Sequence, residues 1–205
     1  MILDAALLTV PDTGCAQSLA DAGVRLLQYR NKSASSRELL DSSKRLSTQL
    51  RPQGVLFVVN DRADVAALVG ADGIHVGQQD LSVEDARRVV GPSKWVGVST
   101  HNLEQFERAA ATSADYIAVG PVFSTSTKTN PDPVIGIDFL RMVRTLTDKP
   151  IVAIGGITLD RTSDVIRAGA DSVAVISDIL LAPDPGRRAR QFIDILGAAT
   201  RAATV

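Results

Sequence analysis

Basic and amide side chains are spaced two residues apart in one short stretch of the chain. Gln28, Arg30 and Lys32 alternate with Tyr29 and Asn31 directly after an apolar run. Because side chains alternate in direction along an extended segment, the first three point the same way. Arginine binds phosphate oxygens in a bidentate manner and lysine adds a point charge, so the stretch predicts a cationic clamp for phosphate. A solvent-exposed strand end is the alternative interpretation.

Two carboxylates follow the next two apolar runs. Asp61 comes directly after Asn60, and Asp80 ends the stretch GQQD. Magnesium in proteins takes a few carboxylate oxygens together with water and substrate phosphates, so this pair predicts a Mg²⁺ site. The alternative interpretation is that each Asp caps the helix after it, which is Arg62–Val69 for the first and a helix from Val83 for the second.

Hydroxyl-rich and glycine-rich stretches occur further along the chain. Residues 124–129 read STSTKT within a long predicted loop, which is typical of a binding loop or a lid. Gly155-Gly156 and Ile176-Ser177 follow two later apolar runs. Backbone N–H groups exposed by glycine, together with the start of a helix, can bind a phosphomonoester at such positions. The alternative for the hydroxyl-rich stretch is a loop that only adds solubility. The alternative for the two glycines is a turn without a binding role.

Composition narrows the classes of function. The 205 residues include one Cys and two His, which excludes a disulfide framework and a Cys/His zinc site. Lys and Arg number 22 and Asp and Glu 23, so the formal net charge of −1 gives no general attraction to nucleic acid or anionic lipid. No apolar run approaches the roughly 18 residues of a membrane span, and the first residues do not read as a secretory signal. A cytoplasmic protein is expected.

Eight short apolar runs alternate with helical patterns and must position these polar residues. The runs are nearly continuous, as in a parallel sheet that helices cover on the outside. The sequence therefore predicts an α/β protein, a single (β/α)8 TIM barrel over residues 1–205. A doubly wound open sheet is the alternative, but it would have fewer strands and a glycine-rich turn after the first. The predicted strands are Ala5–Val10, Val24–Arg30, Val55–Asn60, Gly73–Val76, Trp95–Ser99, Tyr116–Val119, Ile151–Ile154 and Ser172–Ile176.

Four short stretches of similar sequence, here called echoes, support the repeated strand and helix pattern. The stretches ADAGV (20–24), VGADG (69–73), TSADY (112–116) and RAGADS (167–172) place small residues and an Asp at or just before a predicted strand. In such a barrel the catalytic groups lie at the carboxyl ends of the strands. The polar clusters are therefore expected to converge at one end. Other predicted helices are Arg37–Leu50, Val83–Val90, Leu103–Ala111, Ile137–Leu146, Leu159–Ala168 and Arg187–Ala199.

Taken in order, these stretches resemble the signatures of the thiamine phosphate synthase family. The resemblance spans nearly the whole chain through QYRNK, VND, ADGIHVGQQDL, VGVSTH, ADYIAVGPVFSTSTK, AIGGI and VIS. HVGQQD together with PVFSTSTK is its specific part, whereas GGI is common to many phosphate-binding barrels. Two departures are a first strand that ends in LLTVPD instead of an I-T-D-like sequence, and Asn31 where Glu is usual.

The resemblance implies a transferase of thiamine biosynthesis with small-molecule substrates and no nucleic-acid or membrane partner. It would couple hydroxymethylpyrimidine diphosphate to a thiazole phosphate, with or without a carboxylate on the thiazole, by a Mg²⁺-assisted dissociative substitution that releases diphosphate. Asp61 and Asp80 would hold the metal. The pyrimidine diphosphate would contact Gln28, Tyr29, Arg30, Asn31, Lys32, Asn60, Ser99 and Lys128. The thiazole phosphate would contact Thr125, Ser126, Thr127, Gly156, Ile176 and Ser177.

Two other functions stay open at this point. A thiazole tautomerase of the same barrel family would need a proton shuttle but no diphosphate clamp, and a non-catalytic phosphate-binding barrel would need neither. We assign His75 and His101 no role in proton transfer. His75 is as typical of a hydrogen-bonded barrel residue as of a ligand contact, and His101 fits either the surface or the rim of the barrel. The sequence indicates no oligomeric state.

Overall fold

Eight parallel strands pair in the order in which the chain presents them. The computed structural model describes residues 1–125, 127 and 132–202, with side chains as far as residue 198. The N–H of Ile2 donates to the carbonyl of Val175 at 3.2 Å, which joins the two ends of the sheet. The predicted (β/α)8 barrel is confirmed. Its strands are β1 Ile2–Asp4, β2 Leu26–Arg30, β3 Leu56–Asn60, β4 Gly73–Val76, β5 Trp95–Thr100, β6 Tyr116–Val119, β7 Ile151–Ile154 and β8 Ser172–Ala174.

Helices connect the strands and pack their apolar faces on the outside of the barrel. In the part of the chain that the structure describes, none of them is long and apolar enough to cross a bilayer. α1 and α8 were not predicted from the sequence. The helices are α1 Asp12–Asp21, α2 Ser36–Leu50, α3 Ala63–Leu68, α4 Val83–Val90, α5 Leu103–Ala111, α6 Gly136–Arg144, α7 Thr162–Arg167, α8 Ser177–Leu180 and α9 Pro185–Ala202.

The core lies between the outer face of the strands and the helices. In β2 the outward residues Leu27 and Tyr29 are buried in this layer, whereas Gln28 faces the interior of the barrel. α2 begins with a capping box in which Ser35 and Glu38 exchange hydrogen bonds. Those bonds from Ser35 lower the pKa of the Glu38 carboxyl. The box fixes the point at which the chain leaves β2 and turns into the helix.

The prediction for the first strand was wrong. The apolar run Ala5–Val10 was expected to form it, but the strand is Ile2–Asp4 and Ala5–Leu7 is a short 3-10 turn. The Asp4 carboxylate accepts a hydrogen bond from the Ala6 N–H at 3.1 Å, which stabilises the turn and ends the strand. The sequence at the carboxyl end of β1 is therefore ILD, which differs from I-T-D only at its middle residue.

Three of the echoed aspartates have the same structural role near the amino ends of the strands. Each carboxylate accepts the backbone N–H of a residue at the start of the preceding strand, at 2.7–2.9 Å. Each aspartate N–H also donates to the carbonyl of that same residue, at 2.8–2.9 Å. We call this arrangement the aspartate clamp. The pairs are Asp72 with Phe57, Asp115 with Val96, and Asp171 with Ile151. Asp21 of the fourth echo instead accepts from Gln17.

Candidate active site

Arg30 and Asp4 form an ion pair at the carboxyl ends of the first two strands. They are register partners in β1 and β2, so strand alignment alone brings them together. The Asp4 side chain is 2% exposed, while that of Arg30 is 18% exposed and keeps access to solvent. The sequence did not indicate Asp4 as a site residue, because the first strand was placed too late in the chain. A strand read from Ile2 would have put an aspartate beside the predicted clamp.

Lys32 and Asp61 form a second ion pair beside the first. The Lys32 ammonium contacts the Asp61 carboxylate, and the lysine side chain is 56% exposed. Asp61 has a φ of 65°, in the left-handed region, and its N–H donates to the carbonyl of His75 at 2.8 Å. The residue at the N-cap of α3 is Arg62, without a side-chain cap bond. Asp61 is therefore not a helix cap, and its carboxylate belongs to the charged cluster.

Asp80 lies next to Asp61. Its carboxylate accepts the N–H of Gly77 at 2.8 Å, and the capping residue of α4 is Ser82 instead. Neighbouring atoms remove part of the water around this exposed carboxyl and raise its pKa, and the hydrogen bond and charge of Asp61 raise it further. Two carboxyl groups that disfavour each other's ionisation are stabilised when a cation lies between them.

The residues around these two carboxylates fit a divalent cation. Oxygen donors from Asp61 and Asp80 match the preference of Mg²⁺. Among the described residues no group of three or more His, Cys, Asp or Glu could hold a metal ion. The rest of a magnesium coordination shell would therefore come from water and from the oxygens of a bound ligand, which is usual for magnesium at phosphate sites.

A column of polar side chains runs through the barrel interior toward this cluster. Ser99 Oγ is 2.8 Å from His75 Nε2, and His75 Nδ1 is 3.0 Å from the Tyr116 hydroxyl. Burial raises the pKa of the Tyr116 phenol, while a hydrogen bond from Gln28 lowers it, and the rise is larger. The side chain of Gln78 donates to the Ser99 carbonyl at 2.6 Å. Sequence reasoning missed Tyr116 and Gln78 and assigned His75 no function.

Asn60 extends the inward-facing polar positions. It is the last residue of β3 and the register partner of His75 in β4. The structure thus brings the predicted residues Gln28, Asn60 and Ser99 to the inner face of neighbouring strands, next to the charged cluster.

The loops after β6 and β7 are in contact. The Thr127 N–H donates to Thr125 Oγ1 at 3.3 Å, which orders two of the predicted hydroxyls relative to each other. Gly156 has a φ of 62°, and a Cβ atom there would lie 2.3 Å from the carbonyl oxygen of Ser124. Only glycine fits this close approach. The hydroxyl loop and the glycine pair therefore form one surface.

The remaining predicted residues for the thiazole phosphate lie at the next strand. β8 ends at Ala174, two residues earlier than predicted, and Ser177 is the first residue of α8, preceded by Ile176. Ser126 and Lys128 lie outside the described residues, so their predicted roles stay predictions.

Residues 2–179 match the family model described as thiamine monophosphate synthase. The chain belongs to the thiamine monophosphate synthase family. The thiamine-phosphate synthase of Koribacter versatilis is 55% identical over 184 residues, which are 90% of this chain and 86% of that relative. The thiamine-phosphate synthase of Chloroflexus aurantiacus is 47% identical over 170 residues, covering 83% and 78%. The solved thiamine phosphate pyrophosphorylase from Pyrococcus furiosus has a TM-score of 0.87 at 32% identity and covers 97% of this chain and 95% of its own.

In this member of the thiamine monophosphate synthase family, two predicted contact residues lie apart from the cluster. The Tyr29 side chain is 2% exposed and packs in the layer between strands and helices. Asn31 lies in the turn after β2, where its side-chain oxygen accepts the N–H of Ala34 at 3.1 Å and the hydroxyl of Ser33 at 3.2 Å. Tyr29 and Asn31 therefore stabilise the segment that carries Arg30 and Lys32. Direct contact of either side chain with substrate stays a prediction.

Proposed function

We propose that the protein is a thiamine-phosphate synthase that couples hydroxymethylpyrimidine diphosphate to a thiazole phosphate and releases diphosphate. Family membership supports this proposal. The observation that carries it is the cluster in which Arg30 pairs with Asp4, Lys32 pairs with Asp61, and Asp80 adjoins that second pair. We further propose that the chain acts as a single catalytic barrel in the cytoplasm, with small molecules as its substrates.

The charges of the cluster are complementary to a diphosphate that arrives with a divalent cation. Such a ligand has both signs of charge, so Arg30 and Lys32 can exchange carboxylate partners for phosphate oxygens. Asp61 and Asp80 would hold Mg²⁺, which when bound would neutralise negative charge on the departing diphosphate. A ligand of one sign would draw partners from only the two cations or only the three carboxylates, so the cluster favours the metal-diphosphate pair over a simple anion.

The reaction needs little acid–base machinery from the protein. The bond between the pyrimidine methylene carbon and the diphosphate oxygen breaks, and its electron pair leaves with the diphosphate. The aminopyrimidine ring stabilises the positive charge on the methylene carbon, and the lone pair of the thiazole nitrogen then forms the new carbon–nitrogen bond. Arg30, Lys32 and Ser99 would stabilise the leaving group, while the barrel holds the two rings in line and excludes water.

The thiazole phosphate would bind at the loops after β6, β7 and β8. Thr125, Thr127 and Gly156 would supply hydroxyl and backbone N–H donors there, and the predicted contacts of Ser126, Ile176 and Ser177 would complete that site. A tautomerase would act on this half alone, and it would have no use for the two ion pairs of the diphosphate half.

Product analysis tests the proposed function. Purified protein is incubated with the pyrimidine diphosphate, the thiazole phosphate and Mg²⁺, and thiamine phosphate and diphosphate are measured. We expect both products in equal amounts. Isomerisation of the thiazole phosphate alone would identify a tautomerase, and binding without any product would identify a phosphate-binding barrel.

Lys32→Ala connects that activity to the cluster. Removing a charge-assisted contact to diphosphate should lower kcat/KM by about 10–100-fold. The melting temperature should change by less than about 3 °C, because the lysine side chain is 56% exposed. Lys44→Ala, on the exposed side of α2, is the matched control and should keep full activity. Equal activities of the two variants would contradict a role of Lys32 in binding the diphosphate.

A further inference from the structure

Three neighbouring strands build an unusual contact inside the barrel. His75 of β4, Gly97 of β5 and Tyr116 of β6 are successive register partners. A Cβ atom at position 97 would lie 2.0 Å from Tyr116 Cζ, so the missing side chain is what lets the tyrosine ring cross β5. The rings of Tyr116 and His75 then stack, with centroids 5.6 Å apart and planes at 26°. Glycine at position 97 therefore brings a phenol from one strand to an imidazole two strands away.

The direction of the hydrogen bonds follows from what each group can donate. The Tyr116 side chain is buried, so its phenol O–H needs an acceptor inside the barrel. A buried hydroxyl without an acceptor is costly, and His75 Nδ1 is an acceptor at 3.0 Å. A neutral imidazole that accepts at Nδ1 carries its hydrogen on Nε2. His75 Nε2 then donates to Ser99 Oγ, which is 2.8 Å away.

The last member of this chain of hydrogen bonds, Ser99, lies near the carboxyl end of β5. Because Ser99 Oγ accepts from His75, the serine keeps its O–H for a partner on its open side. Gln78 holds the backbone of the same residue by donating to its carbonyl at 2.6 Å. In the opposite imidazole tautomer Nε2 would accept a hydrogen bond from the Ser99 hydroxyl, so that O–H would point away from the site. The order Tyr116, His75, Ser99 thus delivers one oriented donor to the carboxyl end of the barrel.

We propose that Tyr116 and His75 are positioning residues that fix Ser99 as a hydrogen-bond donor to the diphosphate of the pyrimidine substrate. This inference rests on the proposed function, because the diphosphate is the group that Ser99 would meet. A donor held in place before the reaction stabilises the charge that develops on the leaving oxygen without reorganising in the transition state. The chain therefore acts on kcat more than on substrate binding.

Kinetics of four variants test the role of the chain. Tyr116→Phe keeps the ring and removes the phenolic donor, and we expect kcat to fall about tenfold with KM for both substrates within threefold. Ser99→Ala should lose at least as much activity. In the Ser99→Ala background, Tyr116→Phe should cost nothing further, because its effect passes through the serine. Ser47→Ala removes another buried hydroxyl, bonded to the Val69 carbonyl outside the barrel, and is the control for lost stability.

A conservative substitution at position 75 sharpens the comparison. His75→Gln retains an N–H that can donate to Ser99, whereas His75→Leu does not, so glutamine should restore at least part of the kcat that leucine loses. Similar kcat values for the two variants, or a Tyr116→Phe loss that persists in the Ser99→Ala background, would overturn the proposal. So would a Tyr116→Phe enzyme with kcat within twofold of the parent.

The tautomer of His75 is a readout that does not need turnover. Nitrogen NMR of labelled protein should show hydrogen on Nε2 in the parent, and a mixture with the Nδ1 tautomer in Tyr116→Phe. Hydrogen on Nδ1 in the parent would overturn the chain of donors. Absence of product from the parent enzyme would instead contradict the proposed function, and the NMR result would still decide whether the hydrogen bonds run in the stated direction.

Discussion

Asp61 holds a backbone conformation that few side chains adopt. Its φ of 65° lies in the left-handed region, where aspartate and asparagine are several-fold enriched among residues other than glycine. This conformation turns the chain out of β3 and brings the carboxylate to Lys32 and Asp80. One position therefore meets two separate requirements, one of the backbone and one of the side-chain charge.

Three substitutions separate these requirements. Asp61→Asn tolerates the left-handed conformation but lacks the charge, so activity should fall about 100-fold or more while the free energy of unfolding stays near that of the parent. Asp61→Gly should behave in the same way. Asp61→Ala should lose activity equally and also be less stable than Asp61→Gly by about 1 kcal/mol. Urea unfolding and steady-state rates measure both effects.

Either requirement can be contradicted alone. A fully active Asp61→Asn enzyme would remove the carboxylate from the proposed metal site. Equal stability of the alanine and glycine variants would remove the backbone from the explanation.

At the residue scale, the sequence predicted what depends on local geometry. Alternation along an extended segment placed Gln28 and Arg30 on one face, and the structure agrees. It could not supply Asp4, because the pairing of Asp4 with Arg30 depends on the register of two strands and on the true end of β1. The hydrogen-bonded column from Tyr116 through His75 to Ser99 was missed for a related reason. It depends on strand register and on Gly97, which lies in β5 between the strands that carry His75 and Tyr116.

At the scale of elements, the aspartate clamps determine how strands start. Asp115 accepts the N–H of Val96 at 2.7 Å, and Arg87 from α4 binds the same carboxylate at 2.6 Å. A single side chain therefore ties β5, β6 and a helix together near the amino end of the barrel. The charged cluster lies at the opposite end of the strands, so we expect the clamp to contribute stability and not to contact substrate.

Asp171→Ala tests this separation, because Asp171 makes the equivalent bonds to Ile151 and Arg144. Loss of these bonds should lower the free energy of unfolding by about 1–2 kcal/mol, with kcat unchanged. Asp138→Ala is the control, because its carboxylate pairs with Arg141 on an exposed helix face and is 94% exposed. That variant should change stability by less than about 0.5 kcal/mol. Denaturant titration compares them, and equal stabilities would contradict the role of the clamp.

Most elements could be predicted because each strand is a buried apolar run with a helical pattern after it. The first strand could not, since its three residues are shorter than the apolar stretch Ala5–Val10 that follows. Apolar character alone favoured the longer stretch. The Asp4 carboxylate determines where the strand ends, because it accepts the Ala6 N–H and starts a turn. A hydropathy pattern does not indicate that hydrogen bond.

On the scale of the whole molecule, a net charge of −1 coexists with a concentrated group of charges of both signs. Such a site should respond weakly to an isolated ion and strongly to two ions that arrive together. Ligand binding raises stability by about 2.7 kcal/mol at a concentration 100 times the dissociation constant. For a protein of this size that corresponds to about 5–10 °C in melting temperature.

Thermal unfolding with Mg²⁺, with diphosphate and with both tests this expectation. The two ions together should raise the melting temperature by more than the sum of their separate effects, and a chelator should reverse the excess. Asp80→Asn should abolish the excess, while Asp138→Asn should retain it. Strictly additive shifts in the parent protein would mean that the metal and the diphosphate do not share a site.

The aspartate clamps also divide the barrel into pairs of strands. They join β3 to β4, β5 to β6 and β7 to β8, whereas the residues that precede β3, β5 and β7 are Val55, Lys94 and Pro150, none of which is a carboxylate. The smallest unit that includes a clamp is thus two strands with one helix between them. In the pair β1 and β2 the residue before the second strand is Arg25, so this pair closes without the bond that anchors the other three.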